Sequence, residues 1–509
     1  MTLSARPETY LPLSIASGIR AAAARTPDKT ALSQGERAWT YRHLAGRINR
    51  VANGARAGLG LGVGERAAVL TPNCMEIVEL VCGLGDAGVT AVMVNPCLPA
   101  REVEYILDDS GARALIVHPA LAESARALQY TGLNRVLVLG EDYEDWLAKA
   151  ADSVPAGIGE EWEAFAMHYT AGTTGQPKGV LVPHRSRVLT FFGMGVEYGC
   201  YGPGDRALAI APMFHGAGLA FALAPLFFGG YCRVLEHFEP EETLRSLADD
   251  RLTNTFMVPT HFNAIFGLEQ GFLDRHRRQP ALKTIVSNAA PLPQITKERI
   301  IEYFGDTILH ETYGSTEAGI VSNLRPPDQL RKQQCVGLPF PCTQVKLVDK
   351  GGRKVETGEV GELYSHSPYL FNGYWNRPDA TAEAFDSGWL TVGDLARRDD
   401  EGYFYLVDRK NDMIISGGVN IYPREIEEQL LAHSDVREAA VVGVADDYWG
   451  EAVKAFVVLD SAKNATGNEL AVFLKDRLAS YKVPKFFQFI DALPRNAAGK
   501  VLKRELREA

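Results

Sequence analysis

The sequence predicts an α/β protein in two parts: a large N-terminal domain of parallel-rich sheets covered by helices, and a small C-terminal domain of strands and helices. Three observations predict it. Short β-branched runs alternate with helical stretches through the first part, a rhythm that builds parallel strands joined by crossover helices. The chain of 509 residues is longer than one hydrophobic core usually serves. A charged break at 408–412 precedes roughly 100 residues with their own strand and helix pattern, enough for an independent unit.

Taken in order, 66–70 reads as a strand, 73–88 as a helix, 90–94 as a strand, 100–110 as a helix and 114–117 as a strand. The acidic stretch 141–161 shows no period and reads as a surface connection. Next come two strands, 165–170 and 179–182, flanking Tyr169-Thr-Ala-Gly-Thr-Thr-Gly-Gln-Pro-Lys-Gly-Val180. Gly172, Gly175 and Gly179 let this loop turn sharply and bring its N–H groups close to an anion. The threonine hydroxyls and Lys178 add donors, so the loop suits a polyphosphate. Pro177 and Lys178 break the G-x-x-x-x-G-K-[ST] spacing of a P-loop. The apolar run 216–232 is interrupted by Pro225 and several glycines, so it reads as buried structure beneath a pocket, not as a membrane span. Beyond the break, Pro423 opens a helix whose Glu425, Glu427 and Glu428 suit its N-terminal dipole. Strands 439–444 and 454–459, helix 469–478 and strand 486–490 follow. The expected domains are 1–410 and 411–509. No fixed-period repeat or low-complexity tract interrupts them.

A net charge of −10 argues against a nucleic-acid or acidic-membrane partner. Seven cysteines without a C-x-x-C pair read as reduced thiols of a cytosolic protein. Met1-Thr-Leu-Ser-Ala-Arg-Pro7 lacks the apolar core of a signal peptide, and Arg507-Glu-Ala509 is not a peroxisomal tripeptide. The expectation is a soluble, cytoplasmic protein with no membrane span.

Five further motifs follow the Gly/Thr loop: Pro212-Met-Phe-His-Gly-Ala-Gly-Leu219, Tyr313-Gly-Ser-Thr-Glu317, Gly388-Trp-Leu-Thr-Val-Gly-Asp394, Asp408-Arg-Lys-Asn-Asp-Met-Ile-Ile-Ser-Gly-Gly418 and Pro494-Arg-Asn-Ala-Ala-Gly-Lys500. In this order and spacing, from about Trp39 to Arg504, they resemble the adenylate-forming superfamily of acyl-CoA synthetases, adenylation domains and luciferases. The resemblance implies a large N-terminal domain with a smaller β subdomain and a small, mobile C-terminal α+β domain. It implies an ATP-dependent carboxylate–CoA ligase that forms an acyl-AMP, releases pyrophosphate and passes the acyl group to CoA, with Mg²⁺ assisting.

Roles carry over residue by residue as what the resemblance implies. Thr170, Thr173, Thr174, Gly175 and Lys178 would grip the β- and γ-phosphates, although Ala171 stands where a serine is usual. Ser287, Asn288, Ala289, Ala290 and Pro291 would line adenine, with Asn288 where glycine is common. Tyr313 would stack on the base, Gly314 and Ser315 lead to Thr316 at the α-phosphate, and Glu317 would hold Mg²⁺. Asp394 would accept both ribose hydroxyls, with Tyr405 and Arg409 beside the nucleotide. Lys500 would bridge carboxylate and α-phosphate as charge builds. The C-terminal domain would swing about Asn411, a position commonly lysine or aspartate, and present Gly417, Gly418 and Trp449 to CoA. Without the resemblance, Glu317 reads as a solvated loop carboxylate, Asp394 as a turn cap, Lys500 as surface decoration and Trp449 as a strand-end tryptophan.

The same resemblance sets an acyl pocket of Thr190, His215, Gly216, Ala217, Ser287, Thr312, Gly314, Gly319 and Ile320, with His215 gating the thiol channel. On residue types alone, His215 in an apolar run is a hydrogen-bonded structural histidine. Amino-acid-activating relatives place an aspartate within the segment that 212–219 matches; none occurs here, which disfavours amino acids. The expected substrate is a substituted aromatic or phenylpropenoid acid, with a medium-chain fatty acid as the competing reading. Two other functions stand against the ligase: an enzyme that loads a carrier protein or oxidises a luciferin, and a non-catalytic nucleotide-binding regulator. Lys500, Glu317 and Asp394 together speak against the regulator. Expected partners are the small acid, ATP and CoA; a homodimer is left open.

Overall fold

The structure, a computed structural model, describes residues 10–157, 159–170, 176–277, 279–446, 448–460, 463–495 and 501–508. One sheet holds the strands Arg66–Leu70, Thr90–Val94, Ala114–Val117, Arg135–Val138, Ala164–Thr170 and Lys178–Pro183. Its pairs are parallel except the last, where Ala164–Thr170 returns antiparallel as Lys178–Pro183. The crossover helices Glu76–Asp86 and Ala100–Ser110 cover it, as the alternating rhythm predicts. A second, nine-stranded sheet runs parallel through Tyr231–Val234, Arg206–Ala209, Asn254–Met257, Thr284–Ser287 and Leu309–Ser315, then turns back antiparallel as Gly319–Leu324. The two sheets therefore share one construction. In each, a parallel run ends in a strand that is followed by an antiparallel return, at the carboxyl end of the sheet where open α/β folds place ligands.

An antiparallel sheet of short strands, including Gln344–Val348, Gly361–His366, Asp394–Arg398 and Phe404–Arg409, forms the smaller β layer. The last sheet comprises Ile414–Ser416, Val419–Ile421, Val436–Asp446, Gly450–Leu459 and Phe486–Phe489. Helices Pro423–Leu431 and Gly467–Lys475 pack on it around a separate core of Ile414, Ile426, Leu430, Val441, Val457 and Leu470. Pro423 occupies the first helical turn as expected, and Thr466 with Glu469 closes a reciprocal cap on the second helix.

Helix Glu76–Asp86 is buried at every residue, so its two inner carboxylates need partners. Glu79 receives the Tyr143 hydroxyl at 2.6 Å and the Arg47 guanidinium, while Asp86 receives the Ser14 hydroxyl and Arg20 at 2.5 Å. Tyr143 lies in the stretch read as a surface connection, and here the structure corrects the sequence reading. Asp142–Ala148 is a helix with Tyr143, Trp146 and Leu147 buried. Its apolar face spans a single turn, too short to register as a period. The run at 216–232 is the buried helix Gly216–Phe227 followed by a strand from Tyr231. All seven cysteines are free, with only Cys97 and Cys342 exposed. Among the described residues no helix is long and apolar enough to cross a membrane.

A further buried pair joins Lys297 on helix Gln294–Phe304 to Glu311, 2.6 Å apart, with the lysine side chain fully enclosed. Removing one member strands the other charge. Lys297→Met is expected to lower the unfolding free energy by roughly 3 kcal/mol in urea titration, and the double variant Lys297→Met/Glu311→Leu to regain most of it. Equal losses in both would contradict the pairing.

Candidate active site

Strand Ala164–Thr170 and its antiparallel return place Thr170 opposite Lys178. The loop between them, with Ala171, Gly172, Thr173, Thr174 and Gly175, lies outside the described residues, as does Lys500. The Lys178 ammonium sits 5.2 Å from the centre of the Tyr374 ring. The Tyr374 hydroxyl donates to Glu317 Oε1 at 3.0 Å. Glu317 is buried in the turn between Leu309–Ser315 and Gly319–Leu324. Its own carbonyl accepts from Phe371 N at 2.9 Å. The segment holding Tyr374 is in turn clamped along the edge strand Lys178–Pro183. Asn372 N donates to Leu181 O, Leu181 N to Gly373 O and Trp375 N to Gly179 O, at 2.8 to 3.1 Å. Tyr374 thus ties the start of strand Lys178–Pro183 to the turn that carries Glu317. No local pattern singled it out, because its role arises from a contact across nearly two hundred residues.

A second group forms where the short-strand sheet meets the nine-stranded one. The buried Tyr313 hydroxyl donates to Asp394 Oδ2 at 2.6 Å, and Arg409 Nε lies 3.3 Å from Asp394 Oδ1. Asp394 and Arg409 face each other across paired strands. Burial and the neighbouring Asp394 carboxylate push the Tyr313 phenol far up, so it remains a donor. Tyr405 is turned to a different cluster, donating to Asp399 Oδ2 at 2.9 Å under the Arg397 guanidinium. Ser287 ends its strand opposite Glu311, and its enclosed hydroxyl has no partner among the described residues. After it, Asn288 Oδ1 accepts from Ala289 N, and Ala289 adopts φ of 75°. The left-handed conformation falls on Ala289, where an L side chain is strained, beside Ala290 and Pro291.

Some of the residues read as acyl-pocket walls lie near one another. Gly314 pairs with Ile320 across the turn, and a Cβ on Gly319 would come 2.8 Å from Tyr369 Cβ and 3.8 Å from Thr190 Oγ1. Thr312 lies buried on the same strand as Gly314. Thr190 spends its hydroxyl on Ser186 O at 2.8 Å, so it offers less polarity than its residue type suggests. His215 precedes helix Gly216–Phe227, with Ala217 in its first turn. Its ring packs on Phe214 at 4.5 Å and its Nε2 has no partner among the described residues. A Cβ on Gly216 would lie 3.4 Å from Thr316 Cγ2 and 3.7 Å from His168 Cδ2. Ser315 Oγ accepts from Ala318 N at 3.0 Å, shaping the turn that carries Thr316 and Glu317. His168 and Tyr369 were not foreseen, since a histidine on a buried strand carries no motif.

Toward the C-terminus, Asn411 is exposed, and its carbonyl accepts from Arg507 Nη2 at 3.3 Å while Arg507 pairs with Asp412 at 2.6 Å. Gly417 and Gly418 both have positive φ, and Gly417 N donates to Trp449 O at 2.8 Å. A Cβ on Gly417 would meet the Trp449 ring at 2.6 Å, so glycine is what lets this half-exposed indole lie against the backbone.

Burial keeps several imidazoles neutral. It pulls His215, His261 and His310 down to about 4, and His168, which also feels Arg187, to about 3. An unfolded histidine titrates near 6.5. Below that pH the unfolded chain takes up protons that the folded chain refuses, so this contribution to stability is complete above about 6.5 and is lost as pH falls toward 4. The melting temperature is expected to drop steadily from pH 7 to pH 4.5. A flat profile would contradict neutral burial of these rings.

Comparisons with known proteins place the chain in a family. A family model described as AMP-binding enzyme matches residues 19–375, and one described as AMP-binding enzyme C-terminal domain matches 425–500. A feruloyl-CoA synthase from Amycolatopsis sp is 37% identical over 484 residues, covering 95% of this chain and 96% of that one. A 2-succinylbenzoate–CoA ligase from Geobacillus kaustophilus is 34% identical over 489 residues, covering 95% of each. Among solved structures, ATP-bound MatB from Rhodopseudomonas palustris superposes with a TM-score of 0.90 at 28% identity, covering 98% of this chain and 99% of that one. The chain therefore belongs to the AMP-binding enzymes, among their adenylate-forming carboxylate–CoA ligases.

Proposed function

We propose that this enzyme activates an aromatic or phenylpropenoid acid with ATP and transfers it to CoA, working in the cytoplasm. The observation that carries the reading is the Lys178–Tyr374–Glu317 chain, which brings a cation, a phenol and a carboxylate to one mouth beside Tyr313, Asp394 and Arg409. Joining a carboxylate to a nucleotide means overcoming repulsion between two anions, so positioned cations and N–H donors are what the protein must supply. Lys178 and the Gly/Thr loop would hold the outer phosphates. Asp394 has two oxygens with room for further donors beyond Tyr313 and Arg409, so it can accept a ribose diol. Glu317 keeps one oxygen on Tyr374. Among the described residues no group of three or more His, Cys, Asp or Glu side chains could hold a metal. Mg²⁺ would therefore rest on Glu317 and phosphate oxygens, where it would neutralise phosphate charge.

Two half-reactions require two arrangements, because Lys500 beside the α-phosphate would obstruct an incoming thiol. In this reading the part beyond Asn411 turns, withdrawing Lys500 and presenting Gly417, Gly418 and Trp449 to CoA. The relatives named for feruloyl and succinylbenzoyl substrates support an aromatic acid.

Pyrophosphate exchange into ATP, screened over aromatic and medium-chain acids with and without CoA, tests the reading. Exchange with aromatic acids and CoA-dependent AMP formation are expected; exchange with no acid would end it. Lys500→Ala is expected to cut acyl-AMP formation at least ~100-fold while leaving thioester formation from supplied acyl-AMP largely intact. Equal loss of both half-reactions would remove Lys500 from the assignment.

A further inference from the structure

Arg187 lies in the first turn of helix His184–Tyr198 and is 7% exposed. Among the described residues it makes no hydrogen bond or ion pair; burial alone acts on it, pulling its guanidinium down to about 10, still charged at neutral pH. A largely buried charge with no ion-pair partner beside it is costly to hold. Buried cations elsewhere in the molecule are paired: Arg47 with Glu79 and Glu144, Arg20 with Asp86, Lys297 with Glu311. Arg187 departs from that pattern.

Its position says what could complete it. Thr190, three residues on, shares its helix face and borders Gly319 and Tyr369. The helix begins where strand Lys178–Pro183 ends, at the end of that strand remote from the Gly/Thr loop, and helical side chains lean toward the helix N-terminus. Arg187 thus lies deeper than Thr190. His168 feels its charge and stands on the same strand face as Thr170, about 7 Å farther from the loop. Its Nδ1 meets Phe214 O at 3.0 Å; the carbonyl can only accept, so Nδ1 carries the proton and the unpartnered Nε2 is a bare acceptor. Gly216 leaves space between His168 and Thr316. Polar groups therefore run from Thr316 past His168 to Arg187, away from the phosphate side.

We propose that Arg187 anchors a second carboxylate on the acid substrate, at the end distal to the carboxylate that is adenylated. This rests on the ligase reading and names its substrate class. A neutral acceptor such as a phenol would satisfy donors but leave the charge unpaired, whereas a carboxylate takes both in a two-point bond.

The test compares 4-carboxycinnamate with 4-methylcinnamate, and octanedioate with octanoate, in ATP–pyrophosphate exchange by wild type, Arg187→Met and Arg187→Lys. The diacid of a pair is expected to have the higher kcat/KM by ~10- to 100-fold in wild type, the ratio falling to about one in Arg187→Met and remaining intermediate in Arg187→Lys. A wild-type preference for the methyl-ended or mono-acid, or a ratio unchanged in Arg187→Met, would overturn the proposal. If Arg187→Met does not fold, the ratio in Arg187→Lys decides, an undiminished preference counting against the anchor. If no acid supports exchange, the ligase reading fails separately. Calorimetric titration of 4-carboxycinnamate then judges the anchor alone: binding at least tenfold weaker in the variant supports it, and equal or absent binding overturns it.

Discussion

A charge taken out of water needs its opposite close by, and this constraint orders the molecule. Helix Glu76–Asp86 can be enclosed on every side only because Arg47, Tyr143, Arg20 and Ser14 reach its inner carboxylates. Those partners come from the N-terminal helices and from the short helix Asp142–Ala148, so satisfying two acids fixes how several elements dock. Around the active-site mouth the balance is deliberately incomplete. Lys178 rests over an aromatic face and Arg187 is buried, each without an ion pair among the described residues. An overall acidic chain thus keeps two unpaired cations close to these turns.

Much of this was readable from residues, and the reasons for success and failure are physical. Strands and crossover helices of the first sheet follow from periodicity, which is a local property. The Gly/Thr loop reads as an anion cradle from its own residues, whereas Glu317 and Asp394 were singled out by the family resemblance of their motifs. The structure brings Thr170, Lys178, Glu317, Tyr313, Asp394 and Arg409 into two linked groups. Tyr374 and His168 went unread because each is defined by a partner distant in sequence. Asp142–Ala148 went unread because one helical turn carries no period. Tyr405 has the right chemistry for a nucleotide but spends its hydroxyl on Asp399, a choice only tertiary packing makes.

The strained Ala289 belongs to the same account. Residue type placed the departure from expectation at Asn288, yet the backbone puts the left-handed turn one residue later, with the Asn288 side chain accepting from Ala289 N. An asparagine that bonds its successor's amide can hold such a turn where a glycine is absent. The segment after strand Thr284–Ser287 can thus be kept in shape by a side-chain hydrogen bond.

The clamp of residues 372–375 on strand Lys178–Pro183 has a consequence beyond the contacts it makes with Tyr374. That strand closes one border of its sheet, and Val180, Leu181 and Val182 make it a sticky one, offering unpaired amides and carbonyls that a strand from another molecule could zip onto. Covering it with the chain's own Asn372–Trp375 backbone blocks that route to self-association. Loosening the cover would expose a template for self-association, so the four residues that carry Tyr374 to Glu317 also shield this border.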